Sequence, residues 1–324
     1  MSRISFGGIL KWLGPFLGLL LVLGIFSIKP EVREVFLTGG NFKIVFTQTV
    51  IVAIGALGMT LIIVSGGIDL SVGSVVALTS VVGARFLALE QPWSTAGVIT
   101  MTIAAGALIG MINGSLIAGL RMMPFIVTLG MMGVARGLAK WLGNNQTVNY
   151  DEHAAVNNIM ASSEPFQFFP LPTGVWVAAS LAVVMIVVLR HTVFGRYVFA
   201  IGSNEATARL CGIHVRLHKV LIYTLAGMFF GIAGLMQLSR LTQGDPTVAI
   251  GLELDIIAAV VIGGASLSGG TGSILGSMIG ALIMAVLRNG SNQMGWPNYM
   301  QEIIIGTVIV LAVGLDKLRQ SKQA

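Results

Sequence analysis

The chain has 324 residues, of which 55% are hydrophobic and 10% charged, with a formal net charge of +6. A soluble domain normally carries about a quarter charged residues, so this composition excludes one and predicts a surface that largely faces lipid. The basic excess does not indicate nucleic acid, because most basic residues lie between apolar runs, where they orient membrane segments. The single cysteine, Cys211, excludes an internal disulfide.

Ten apolar runs follow in chain order, and a helix needs roughly 20 apolar residues to cross the hydrocarbon core. The run 254–267 is short and ends near glycines, which favours a half-span or a re-entrant segment. The first run is interpreted as a retained helix, because no small-residue cleavage site follows it. The predicted fold is therefore all-α: one polytopic membrane helix bundle over 1–324 with about ten transmembrane spans. The runs lie near 12–28, 44–64, 68–88, 96–119, 124–142, 173–190, 219–240, 254–267, 271–288 and 299–316.

Charge sets the expected orientation of these spans. The stretch 190–219 and the C-terminal tail are rich in Lys and Arg, which places both in the cytoplasm. The long connection 143–172 carries acidic residues and no Lys or Arg, so it is expected outside. Ten spans then put both termini in the cytoplasm. Three basic residues that fall outside count against this arrangement: Lys29, Arg33 and Lys43.

An internal repeat relates the two halves of the chain, approximately 44–142 and 219–316. Placing residues 66–84 over 263–281 without a gap gives nine identities in nineteen positions. Under the predicted orientation both copies run the same way, so the repeat is parallel, with its axis along the membrane normal. Each copy contains a glycine pair that is expected to break a helix: Gly66 and Gly67 in the first, Gly263 and Gly264 in the second.

Polar side chains follow both glycine pairs: Asp69 and Ser71 in the first copy, Ser266 and Ser268 in the second. One hypothesis is that they cap the helix that follows, since backbone groups at membrane depth must be satisfied. The other is that they line or gate a water-filled translocation path, because intramembrane ionisable residues are costly and usually functional. The sequence leaves both open, and the two are compatible.

Small residues also recur every four positions at Gly106, Gly110 and Gly114. Such a stripe presents a flat groove that lets a second helix approach closely. We expect it to serve packing.

The basic stretch 190–219 is the predicted docking element for a partner. Residues 204–211 favour a short helix, with Ser203 or Asn204 as N-cap and Gly212 just past its end. Glu205 and Arg209 are four apart, so they are expected on one face of it.

Catalytic signatures are missing from the sequence. The dipeptide Gly-Lys never occurs, which excludes the G-x-x-x-x-G-K-[ST] phosphate loop, so ATP is expected on a separate chain. The histidines lack companion ligands at metal spacing, and neither a metal nor a cofactor is predicted.

Three segments, 65–74, 200–213 and 263–270, together resemble the permease subunits of ribose-type bacterial ABC sugar importers. The broader group includes branched-chain amino-acid permeases. The resemblance implies that the stretch 190–219 is a cytoplasmic coupling loop that seats in the ATPase. Thr207 and Cys211 depart from the family's usual Ala and Ser. The implied coupling residues are Gly202, Asn204, Glu205, Ala208, Arg209 and Gly212.

The same resemblance implies an assembly in a bacterial inner membrane. A second permease copy, identical or related, two ATP-binding subunits and an extracytoplasmic solute-binding protein are expected as partners. Alternating access would move a small polar solute, and the resemblance implies a monosaccharide such as ribose or another pentose or hexose. Branched-chain amino acids or nucleosides are the alternative solutes. A proton-coupled carrier is disfavoured, because it needs titratable residues buried within spans.

Overall fold

The computed structural model describes residues 6–151, 153–161, 167–168 and 171–321. Within these residues the chain is almost entirely α-helical, which confirms the predicted all-α fold. The helices are α1 (Phe6–Phe26), α2 (Pro30–Phe36), α3 (Gly39–Val64), α4 (Val72–Leu87), α5 (Thr95–Gly119), α6 (Pro124–Leu142), α7 (Thr173–His191), α8 (Val193–Ser203), α9 (Glu205–Leu210), α10 (Val215–Leu241), α11 (Leu252–Ile262), α12 (Ile274–Gln293) and α13 (Asn298–Ser321). A 3₁₀ helix covers Ala155–Ile159, and the strands are β1 (Val148–Asn149), β2 (Gln167–Phe168), β3 (Leu171–Pro172) and β4 (Gln243–Gly244).

Six of the described helices are long and apolar enough to cross a membrane, namely α3, α5, α6, α7, α10 and α12. Three shorter apolar stretches, Gly14–Phe26, Val72–Leu87 and Asn298–Leu311, coincide with further predicted runs. The remaining run contains α11, whose 11 residues are too few for a full crossing at about 1.5 Å per residue. The polytopic membrane bundle is confirmed, with about ten spans as an approximate count.

Helix α3 is the centre of the bundle. Every residue from Thr49 to Val64 is buried, as expected for a helix that is apolar on all sides. It packs against α10, α11 and α12, so elements from both halves of the chain share one core.

The glycine stripe on α5 packs against α10, as predicted. A Cβ atom on Gly110 would overlap the carbonyl oxygen of Tyr223, and one on Gly114 would lie 2.8 Å from the Cα of Val220. The backbones therefore touch along this contact, and larger side chains would force the two helices apart.

The described part of the connection between α6 and α7 packs against α4, α10 and β4. β1 pairs antiparallel with β4, and β2 pairs antiparallel with β3. The Tyr150 hydroxyl donates to Asn157 Oδ1 at 2.6 Å, and burial raises the pKa of this phenol well above its ordinary value. The phenol therefore stays protonated and holds the connection against α10, whose Leu238 carbonyl it also contacts at 3.3 Å.

Candidate functional site

The first helix break lies between α3 and α4. α3 ends as predicted at the glycine pair: the N–H of Gly66 bonds the carbonyl of Ile63, and that of Gly67 bonds Ile62, both at 2.9 Å. Gly66 has φ +83°, a left-handed conformation that glycine adopts without penalty. The predicted run 68–88 is helical only from Val72 onward, because residues 68–71 form the break.

The second break repeats this helix ending one residue later. There the left-handed glycine is Gly264, with φ +92°, whereas Gly263 is still right-handed at the end of α11. Gly66 is thus the structural equivalent of Gly264, although the ungapped alignment pairs it with Gly263. Each break contains two adjacent glycines, so the sequence match could not reveal the shift.

Polar side chains then make the same local turn in both breaks. Asp69 Oδ1 accepts from the Ser71 backbone N–H at 2.7 Å, and Ser266 Oγ accepts from the Ser268 backbone N–H at 3.2 Å. The ungapped alignment of 66–84 with 263–281 places Asp69 over Ser266, and these two side chains accept the same local hydrogen bond.

The capping hypothesis needs correction in its details. Ser71 stands at the N-cap of α4, yet its side chain makes no capping hydrogen bond. The N-cap of α12 is Ser273, which accepts from the Gly276 N–H at 3.3 Å. Neither Ser266 nor Ser268 occupies that position, because the second break is four residues longer than the first. These four polar residues stabilise the turns within the two breaks. They do not cap the first turn of the helix that follows each break.

Asp69 lies in a buried polar cluster, which also contains Ser71, Asn113 of α5 and Tyr223 of α10. The Asp69 residue is 1% exposed, and its Oδ1 also accepts from the Ser71 hydroxyl at 2.6 Å. Asn113 Nδ2 donates to Ser71 Oγ at 3.2 Å and lies 3.5 Å from Asp69 Oδ2. Among the described residues, Asn113 Oδ1 and the Tyr223 hydroxyl find no hydrogen-bond partner. Asp69 is thereby joined to α5 as well as to its own turn.

The stretch 190–219 forms a structured connection. It contains α8 and α9, and Asn204 caps α9 by accepting from the Thr207 N–H at 2.9 Å, as predicted. Gly212 follows the end of α9 with φ +83°. Residues 204–212, which hold the predicted coupling residues Asn204, Glu205, Ala208, Arg209 and Gly212, are called the coupling segment below.

Two ion pairs hold the coupling segment. Glu205 pairs with Arg209 at 2.9 Å, which confirms that they share one face, and with Lys219 of α10 at 2.6 Å. The Lys219 pairing was not predicted. Ala208 is buried, while Arg209 and Cys211 are exposed.

A contact of backbone atoms joins α8 to both helix breaks. We call its members, Gly66, Gly202, Gly269 and Gly270, the glycine junction. The N–H of Gly270 donates to the Val64 carbonyl at 2.8 Å, which links the second break to the end of α3. A Cβ atom on Gly202 would overlap that carbonyl oxygen and lie 2.7 Å from the Gly270 nitrogen. α8 is therefore in backbone contact with both breaks, a meeting of distant segments that sequence reasoning did not predict.

A polar cavity of about 320 Å³ opens among α3, α10, α11, α12 and α13, and we call it the distal cavity. It lies far from the coupling segment: Gln237 in its wall is 18 residues beyond Lys219 on α10, or about 27 Å at the helical rise. Sequence reasoning missed it. Its arginines stand where apolar runs end, a position typical of residues that reach the membrane interface. Its polar lining residues are Gln48, Gln237, Arg240, Asp255, Arg288, Asn292, Asn298 and Gln301.

Comparison with known proteins gives a match along most of the chain. A family described as the permease component of the branched-chain amino acid transport system matches residues 41–313. The ribose import permease protein of Escherichia coli is 40% identical over 311 residues, which cover 95% of each chain. That of Bacillus subtilis is 40% identical over 328 residues, covering 99% of this chain and 97% of the relative. The fructose import permease protein of Rhizobium meliloti is 34% identical over 308 residues, covering 92% of this chain and 84% of the relative. No solved structure matches the chain.

Fold and site together define a multi-pass membrane permease, the transport subunit of an import system. The chain belongs to the family of branched-chain amino acid transport system permease components. The resemblance to permease subunits of ribose-type ABC sugar importers is thereby confirmed.

Proposed function

We propose that this chain forms the translocation path for a monosaccharide, with ribose as the first candidate, in an ATP-driven importer of a bacterial inner membrane. The observation that carries the proposal is the 40% identity to the ribose import permease proteins of two different bacteria over nearly the whole chain. The proposed partners are a second permease copy, a separate ATPase chain and an extracytoplasmic solute-binding protein.

Coupling to the ATPase is proposed to run through the coupling segment. Glu205 accepts hydrogen bonds from both Arg209 and Lys219, and the pair with Lys219 links α9 to α10. Because α8 precedes α9 directly and its Gly202 touches both helix breaks, a force on α9 would reach the ends of α3 and α11. ATP-driven closure of the partner would then shift the two breaks together, which is a means of switching access between the two sides.

Asp69 is proposed to position the first break within this path. Its carboxylate organises Ser71 and approaches Asn113, so it fixes the start of α4 against α5. Ser71, Ser266 and Ser268 are proposed to keep the two turns in one conformation.

The proposed orientation places the coupling segment and both termini in the cytoplasm and the connection 143–172 outside. Single cysteines at Asn158 and at Ser203, in a chain with Cys211 replaced by Ser, test this. We expect an impermeant thiol reagent added outside to label the cysteine at Asn158 only. Labelling of both positions from the outside would contradict the orientation and the parallel repeat of halves 44–142 and 219–316.

Uptake of a panel of solutes tests the function. Cells that lack their own sugar importers would express this permease with its ATPase and binding protein and be given labelled ribose, fructose, arabinose or leucine. We expect uptake of one sugar, ribose first, and none of leucine. Leucine uptake without sugar uptake would support the second candidate, which the family's description favours.

A further inference from the structure

The distal cavity contains a buried ion pair in its wall. Arg288 Nη2 donates to Asp255 Oδ2 at 2.5 Å, and the Asp255 side chain is 6% exposed, whereas that of Arg288 is 44% exposed. Arg288 therefore neutralises the Asp255 carboxylate from the cavity side. Part of the Arg288 side chain remains exposed in the distal cavity.

Other polar groups in the wall are free to bind a ligand. Within the part of the chain that the structure describes, Gln48, Gln237 and Arg240 have no hydrogen-bond partner. Gln237 is 8% exposed and lines the cavity, so its amide is reached from this space. An amide that is open to the cavity can hydrogen-bond a hydroxyl group of a ligand in place of solvent.

The chemistry of these groups suits a polyol. An amide offers one acceptor and two donors within a small area, and vicinal hydroxyl groups present the same mixture. Arg240 adds donors without a counter-charge. Gln301, on the far wall, is held by donating to Asn292 Oδ1 at 2.7 Å, so that side of the cavity is preorganised. The volume of about 320 Å³ lies at the lower end of the roughly 300–1,000 Å³ typical of small-molecule sites.

We propose that the distal cavity is a binding station for the sugar, in which Gln48, Gln237 and Arg240 bind its hydroxyl groups after release from the binding protein. The proposal rests on the proposed function, since it assumes a sugar as the solute. It adds the residues that receive the sugar and separates them from the coupling machinery about 27 Å away.

Substitution of the two glutamines by methionine tests the station. Gln48→Met and Gln237→Met keep the length of each side chain and remove its hydrogen-bonding groups. With ribose as probe, we expect the uptake rate at low concentration to fall about five-fold for each variant and about thirty-fold for the pair, as for one and two lost hydrogen bonds. ATP hydrolysis stimulated by ribose-loaded binding protein should stay near the wild-type rate. Gln91→Met, an exposed position outside the cavity, is the matched control.

The outcomes separate this inference from the proposed function. If the wild-type importer fails to transport ribose, the proposed solute is wrong, and the test is repeated with the sugar that it does transport. If the wild type transports ribose and the double variant does so equally well, the station is contradicted.

A variant that loses both transport and ATP hydrolysis would not test the station, so a second measurement probes the cavity without relying on activity. A cysteine at Gln237, with Cys211 replaced by Ser, is labelled with a charged impermeant reagent in the assembled importer. We expect ribose-loaded binding protein to slow this labelling more than unloaded binding protein does. Equal labelling rates would overturn the proposal.

Discussion

The substitution Gly202→Ala probes the glycine junction most directly. The new methyl group would overlap the Val64 carbonyl oxygen and lie 2.7 Å from the Gly270 nitrogen, two atoms that are hydrogen-bonded to each other at 2.8 Å. All three groups are backbone, so no side chain can rotate away. α8 must move, or the bond between the two breaks must open.

The expected cost follows from these two routes. Overpacking a well-packed contact costs about 1–3 kcal/mol, and an opened buried hydrogen bond adds about 1 kcal/mol. We therefore expect Gly202→Ala to destabilise the permease by about 1–4 kcal/mol, depending on whether one or both changes occur, which lowers the apparent unfolding midpoint by several degrees. Uptake should also fall further than ATP hydrolysis does, because α8 is displaced from the breaks that it is proposed to move.

The assay compares the purified complex with one that carries Gly130→Ala. That glycine lies within helix α6, and a Cβ atom there meets nothing within 4 Å. We expect no loss of stability or coupling in the control. A Gly202→Ala complex with the wild-type unfolding midpoint and wild-type coupled uptake would refute the proposed role of the glycine junction.

Three further variants test other parts of the structure. Asp69→Asn keeps an oxygen for the Ser71 N–H and removes the charge, so a positioning role predicts assembly and uptake within a few-fold of wild type; a normally assembled but transport-dead complex would indicate a gate instead. Glu205→Lys combined with Arg209→Glu should leave the permease inserted but uncouple ATP hydrolysis from uptake, whereas wild-type transport would contradict the coupling assignment. Gly110→Ala should destabilise the permease by about 1–3 kcal/mol and so lower its apparent unfolding midpoint, since it separates α5 from α10; an unchanged midpoint would argue against that contact.

Sequence reasoning predicted the elements whose causes are local. Long apolar runs predicted the spans, and the glycine pairs predicted where α3 and α11 end. Asn204 was one of two N-cap candidates for α9, and it makes the expected bond because its oxygen reaches the Thr207 N–H. Each of these features depends on residues a few positions apart.

The features that were missed depend on residues far apart in the chain. Gly202 meets Gly270 only because α8 packs back against both breaks, and neither glycine differs in sequence from many others. Lys219 reaches Glu205 across fourteen positions, from the first turns of α10. The distal cavity likewise combines side chains from five helices, so its polar groups became a site only when the helices were assembled.

The energy source for transport tests the central claim most directly. Proteoliposomes would contain this permease with its ATPase and binding protein, with ATP supplied on the side of the coupling segment, and the accumulation of labelled ribose would be measured. We predict accumulation that requires ATP and persists when a protonophore collapses the proton gradient. Accumulation driven by a proton gradient without ATP would contradict the account, because it would make the chain a secondary carrier.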